Sequence, residues 1–183
     1  MALSVEDGSC VPDADALVSR ANLIAYAGDY YPDITVPDDE STDAAIRRGS
    51  SWVSTFPIWD GNMTCGRGLQ GQAWPRTGVV DCNGDSIPDD EVPIEVQQAT
   101  YLAALAEHAN PGILSPTVTP GEQVKRVKVD VIEQEFMTPA QQGMVGKTDP
   151  VSSMRPVLTA VNDLLKCMAT VPDGKTVPWP WVA

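Results

Sequence analysis

The sequence predicts a mainly α-helical protein, a small antiparallel helical bundle with a β-strand or hairpin and an extended C-terminal arm. Three observations predict it. Apolar residues recur at helical spacing in three stretches and a fourth is rich in helix formers, one later stretch alternates with the period of a strand, and the last part of the chain is punctuated by prolines. The 183 residues are enough to bury a core, and 43% hydrophobic with 20% charged residues is the composition of a globular chain. We place a helical domain at 1–169, with a long loop over 57–92 and the strand or hairpin at about 122–137, and the arm at 170–183.

The first helix runs from Ser19, a good N-cap, to about Tyr30, with Ala21, Ile24 and Ala27 or Gly28 on one face and Leu17 just before the cap. After the acidic, proline-punctuated "YPDITVPDDE", Ser41 or Thr42 can cap a second helix. Its stripe of Ala45, Gly49, Trp52, Val53 and Phe56 ends near Pro57, and Trp52 reads as core. Residues 57–92 show no periodic run. A loop of that length is functional or disordered, and Trp59 and Trp74 imply that it is pinned down. Asp89 to Glu91 and Pro93 open the third helix, "IEVQQATYLAALAEHAN", which Asn110-Pro111-Gly112 stops. In "EQVKRVKVDVIEQEF", Val127, Val129 and Val131 alternate with Arg126, Lys128 and Asp130 as in a strand. Val157, Leu158, Val161, Leu164, Leu165 and Met168 mark a fourth helix from Ser152 or Ser153, and "TVPDGKTVPWPWVA" forms the arm.

The formal net charge of -13 argues against a chain built chiefly to grip nucleic acid, because phosphate binding needs clustered Lys and Arg. Cys10, Cys65, Cys82 and Cys167 lack zinc-ligand spacing. Their even count permits disulfides, but "MALSVEDG" has no basic and apolar leader, so we expect reduced thiols in a cytoplasmically made protein. No run reaches the ~18 apolar residues of a membrane span, which predicts a soluble protein with no membrane partner.

Candidate chemistry is sparse. Asp81, Asn83 and Asp85 occupy the first, third and fifth positions of an EF-hand-like loop. Ser86 replaces the turn glycine and Val92 the closing glutamate, so these are weak metal candidates that an Asx-rich turn explains as well. The one histidine, His108, suits a helix C-terminus. No GxSxG, GxxxxGK[ST] or HExxH occurs, and "CGRGLQG" reads as a flexible loop; we expect no catalysis and no cofactor. Lys125, Arg126 and Lys128 form the basic cluster, either a partner contact or edge-protecting charge. Trp179 and Trp181, stiffened by Pro180, suit docking on another chain, the alternative being that they fold back onto the chain's own core. These five residues are the candidate interface.

"SVEDGSCVPDADALVS", "QAWPRTGVVDCNGDSIPDDEVPIEVQQATYLAALA" and "VKRVKVDVIEQEF" together resemble one family of tailed-bacteriophage proteins, the DnaT-like group whose structural relatives are head-to-tail connector adaptors. The resemblance runs in order over most of residues 3–168 and leaves out the terminal "VPWPW". It implies a structural virion protein of the head-tail neck, assembled in the host cytoplasm. Such a protein forms a dodecameric ring between the portal protein and the next neck or tail-completion protein and lets double-stranded DNA pass. The family label implies the alternative, a DnaT-like single-stranded-DNA-binding protein. Single-strand binders need a basic groove with aromatic platforms, and the basic cluster here has no aromatic residue closer in sequence than Phe136.

Overall fold

The computed structural model describes residues 2–116, 124–128, 133–136 and 158–170. Its elements in chain order are α1 (Arg20–Tyr30), α2 (Glu40–Thr55), β1 (Ile58–Trp59), β2 (Asn62–Met63), β3 (Arg76–Thr77), α3 (Ile94–Ala109), β4 (Val124–Lys128), β5 (Glu133–Phe136), α4 (Thr159–Leu165) and β6 (Ala169–Thr170). They fall into two units, Met1–Leu114 with Val157–Val171, and Ser115–Pro156 with Pro172–Ala183. β4 and β5 lie in the second unit.

In the first unit, Ser19 caps α1 by accepting the Asn22 amide at 3.2 Å. The buried positions of α1 are Leu23 and Ala27, whereas Ala21 of the expected stripe is exposed. Leu17 and Val18 are also buried, so the chain enters the helix from the core and the i, i+4 pair Leu23 and Ala27 continues that contact. Helix α2 starts earlier than expected. Its cap is Asp39, whose carboxylate accepts the amides of Ser41 at 2.8 Å and Thr42 at 3.3 Å, and Ser41 and Thr42 lie inside the first turn. Trp52 and Val53 are buried, as the stripe required.

Helices α2 and α3 approach closely at Gly49. A Cβ there would stand 2.8 Å from the Ala104 nitrogen, so the missing side chain is what allows the contact. Helix α3 follows Pro93 and ends before Asn110, as its punctuation predicts, and buries Val96, Ala99, Ala103 and Ala104. Helix α4 packs on α3 through the fully buried Val161 and Leu165. The start expected at Ser152 or Ser153 lies outside the described residues. After Leu165 the chain turns, with the Met168 amide donating to the Leu165 carbonyl at 2.9 Å, and Ala169–Thr170 becomes a strand.

The central segment is neither disordered nor free of regular structure. β1 pairs antiparallel with β6, Ile58 opposite Thr170 and Trp59 opposite Ala169. β2 pairs antiparallel with β3, and Val80 bridges Ser86. Trp74 is fully buried, meets Trp59 edge to face at 5.5 Å, and precedes Pro75 through a cis peptide bond. In the second unit β4 and β5 form the expected antiparallel hairpin, Arg126 opposite Glu135 and Lys128 opposite Glu133, with a register shift between Val124 and Arg126.

Two expectations therefore change. The mainly α bundle is a mixed fold, because the central segment supplies short antiparallel strands that close the helices from one side of the sequence to the other. The reduced thiols are two disulfides, Cys10–Cys65 and Cys82–Cys167, with Cα separations of 6.2 and 5.1 Å. Their partners are 55 and 85 residues apart, so only folding brings them together and no local motif announces them.

Candidate functional site

Arg76 of the Trp-Pro-Arg-Thr-Gly block organises the central segment. Only 8% exposed, it donates from Nε to the Asp60 carbonyl at 2.8 Å, from one terminal nitrogen to Ala73 at 3.1 Å and from the other to Gly61 at 2.8 Å. Burial pushes its pKa down, opposed by the Asp60 charge. Gln70 donates to the carbonyls of Gln72 and Pro75, and Gln72 donates to Ala14 while accepting from Ser54. "CGRGLQG" is thus tied down by a buried glutamine and by the Cys10–Cys65 bond rather than free. A cleft of about 650 Å³ remains beside this network, bounded by Pro57, Trp59, Met63, Arg67, Gln70 and Arg76.

The acidic turn is built from backbone amides. Asp81 Oδ1 accepts the amides of Asn83 at 2.8 Å and Asp85 at 2.9 Å, and its Oδ2 accepts from the Asn83 side chain at 3.2 Å. The Asp85 and Asn83 amides hold the Asp81 carboxyl below the usual range. Asp81, Asn83 and Asp85 are therefore brought together as a turn. Among the described residues no group of three or more His, Cys, Asp or Glu side chains could hold a metal ion. His108 lies in the last turn of α3.

Most cations of the first unit are spent internally. Arg20 grips the buried Asp43 through Nε at 2.7 Å and a terminal nitrogen at 2.8 Å, and reaches Asp38 at 2.8 Å. Arg47 pairs with Asp15 at 2.6 Å and Arg48 with Glu107 at 2.7 Å. Arg67 and Lys166 are exposed. This unit carries six Lys and Arg against nineteen Asp and Glu, and the second unit six against six, so the whole net charge of -13 belongs to the first.

All four tyrosines of the chain gather on one face of the first unit. Tyr26 stacks on the buried Tyr101 and on the exposed Tyr30, each at 4.7 Å between ring centroids, and lies 6.1 Å from Tyr31. Burial, then the neighbouring tyrosines, raises the Tyr26 pKa; burial raises that of Tyr101, against a hydrogen bond from Asn22. Sequence reading missed this ladder, although the i, i+4 spacing of Tyr26 and Tyr30 was its visible signal. Of the expected interface residues, Lys125, Arg126 and Lys128 all fall on β4, and Trp179 and Trp181 lie outside the described residues.

Residues 1–178 match the family model described as "Putative DnaT-like ssDNA binding protein", and the chain belongs to that family. Neither the curated proteins nor the solved structures give a match.

Proposed function

We propose that this protein is a head-to-tail connector adaptor of a tailed-bacteriophage virion, a structural ring subunit rather than an enzyme. The observation that carries the reading is the charge partition. A body with nineteen carboxylates, whose arginines Arg20, Arg47 and Arg48 are committed to its own acids, repels phosphate over the distance of a Debye length, ~8 Å at physiological salt. A ring of such bodies makes a conduit through which double-stranded DNA slides without sticking. The ring, a dodecamer in this reading, sits between the portal protein and the next neck or tail-completion protein. Identical subunits meet head to tail through heterologous patches, with β4 and the segment of Trp179 and Trp181 as contact elements. Imaging the full chain on the portal of its own phage tests this: closed rings beneath the portal support it, and a chain that never associates with portal removes it.

The second reading, single-stranded-DNA binding, is favoured by the family description and by the exposed Tyr30 and Tyr31, since aromatic faces stack bases. The charged residues nearest to them in sequence are Asp29 and Asp33, which carry the sign that repels phosphate.

A further inference from the structure

We infer that the cleft beside Arg76 is a binding site for an acidic segment of a partner polypeptide, one carboxylate carried among apolar side chains, an inference that does not rest on the ring reading. All the residues that line this cleft of about 650 Å³ belong to the first unit. Two of that unit's six cations, Arg67 and Arg76, are among them, and none of its nineteen acids is. Within so acidic a body the wall is a local reversal of charge. Arg76 is 8% exposed, yet no carboxylate pairs with it among the described residues, and its nitrogens meet only the backbone carbonyls of Asp60, Ala73 and Gly61. The Asp60 charge is felt there without an ion pair forming. A buried charge is ordinarily paired, because carbonyl dipoles replace only part of its lost hydration. Three of the five N–H groups of the guanidinium are used on those carbonyls, which leaves two for a ligand. Arg67 is exposed and has no partner among the described residues.

The rest of the wall selects the ligand. Its neutral polar side chains are already engaged: Gln70 donates to the Gln72 and Pro75 carbonyls, Gln72 to Ala14, the Ser54 hydroxyl to Gln72 and the Thr55 hydroxyl to the Ser51 carbonyl. The strongest donors left are the two guanidiniums, and a carboxylate matches their planar forks. Pro57, Trp59 and Met63 give the cleft an apolar side. Trp59 donates its indole N–H to the Val53 carbonyl at 3.2 Å and meets Trp74 edge to face at 5.5 Å, so its ring is in place before anything binds. Nucleic acid does not match, because it repeats its charge along the backbone and outside the cleft meets the acids of the first unit. A peptide presents one carboxylate between apolar side chains, and a cleft of this size accepts several of them.

The experiment follows the arginine side-chain resonances of the full chain, labelled with heavy nitrogen, during titration with a capped pentapeptide that holds one aspartate among prolines and leucines. Its asparagine counterpart, sodium acetate and a pentathymidylate are titrated in parallel. The aspartate peptide is expected to move the Nε–H resonances of Arg67 and Arg76 and to bind about tenfold more tightly than the asparagine peptide. Arg67→Gln removes an exposed cation, and should keep the parent's melting temperature while losing about tenfold in affinity for the aspartate peptide. Equal binding of the two peptides, an affinity that Arg67→Gln leaves unchanged, resonances that stay in place, or no binding at all would each overturn the inference. Acetate bound as tightly as the peptide would reveal an anion site without an apolar contact, and tighter binding of the pentathymidylate would give the cleft to nucleic acid; either result also overturns it.

Discussion

Glu107 is 1% exposed near the end of α3, where its oxygens receive Arg48 Nε at 2.7 Å, the Gly112 amide at 2.6 Å and the Leu114 amide at 3.3 Å. One carboxylate thus joins α2, the helix end and the chain that follows. Glu107→Gln replaces an acceptor oxygen by a donor and leaves a buried amide without its partner, which should cost about 1–3 kcal/mol in urea denaturation; an unchanged midpoint would contradict this. At the N-terminus of α2, the Ser41 hydroxyl and amide hold Asp39 below the ordinary aspartate value of 3.8, and backbone amides do the same for Asp81. A depressed carboxyl contributes stability above pH 3.8 that is lost as pH falls through the folded value, below 3.8. Asp39→Ala should therefore be less stable than the parent at neutral pH, with the difference closing under acid. A difference that persists at low pH would show that the carboxylate is not its source. Tyr26 and Tyr101 shift the other way, and should ionise above the ordinary tyrosine value of 10.0 in an ultraviolet titration; their stabilising effect is complete below that pH and is lost as pH rises through the folded values.

At the scale of elements, the contact of α2 with α3 depends on Gly49. Gly49→Val drives a branched side chain toward the Ala104 backbone, and the overpacking should cost about 1–3 kcal/mol. Calorimetry on the variant checks it, and a melting temperature equal to the parent's would place the helices further apart. Trp74 is the corresponding anchor of the central segment: Trp74→Ala empties a fully buried site and should cost about 3–5 kcal/mol. How legible these elements were depends on where their determinants lie. Helix α3 was readable because Pro93 and Asn110 are local punctuation, and the hairpin because its valines alternate. The start of α2 moved because three capping types, Asp39, Ser41 and Thr42, stand within four residues and the aspartate reaches both following amides. The strands of the central segment could not be read. Each spans two residues, and β1 finds its partner more than a hundred residues along the chain. The role of Arg76 was equally hidden, since its acceptors are backbone carbonyls that any sequence would offer.

Over the whole molecule, the two disulfides and the charge partition have the widest consequences. Cys10–Cys65 ties the N-terminal segment to the central one, and Cys82–Cys167 ties the central one to the turn after α4. Loop-closure entropy for loops of these lengths gives about 4 kcal/mol for each bond. Each bond has one exposed cysteine, Cys65 or Cys82, so a soluble thiol can reach it. Reductant should lower the melting temperature of the parent, and Cys82→Ser with Cys167→Ser should retain part of that response through the remaining bond. A parent that melts identically with and without reductant would show that the pairs do not form in solution. The charge partition bears on function more directly, because it separates a conduit from a nucleic-acid binder. A polarisation titration of the full chain with a fluorescent single-stranded oligonucleotide, at low and at physiological salt, measures that difference. We expect weak binding at both salts, since the first unit carries thirteen more acidic than basic residues and the second is balanced. Tight binding that collapses as salt rises would contradict the conduit and establish single-stranded DNA as the ligand.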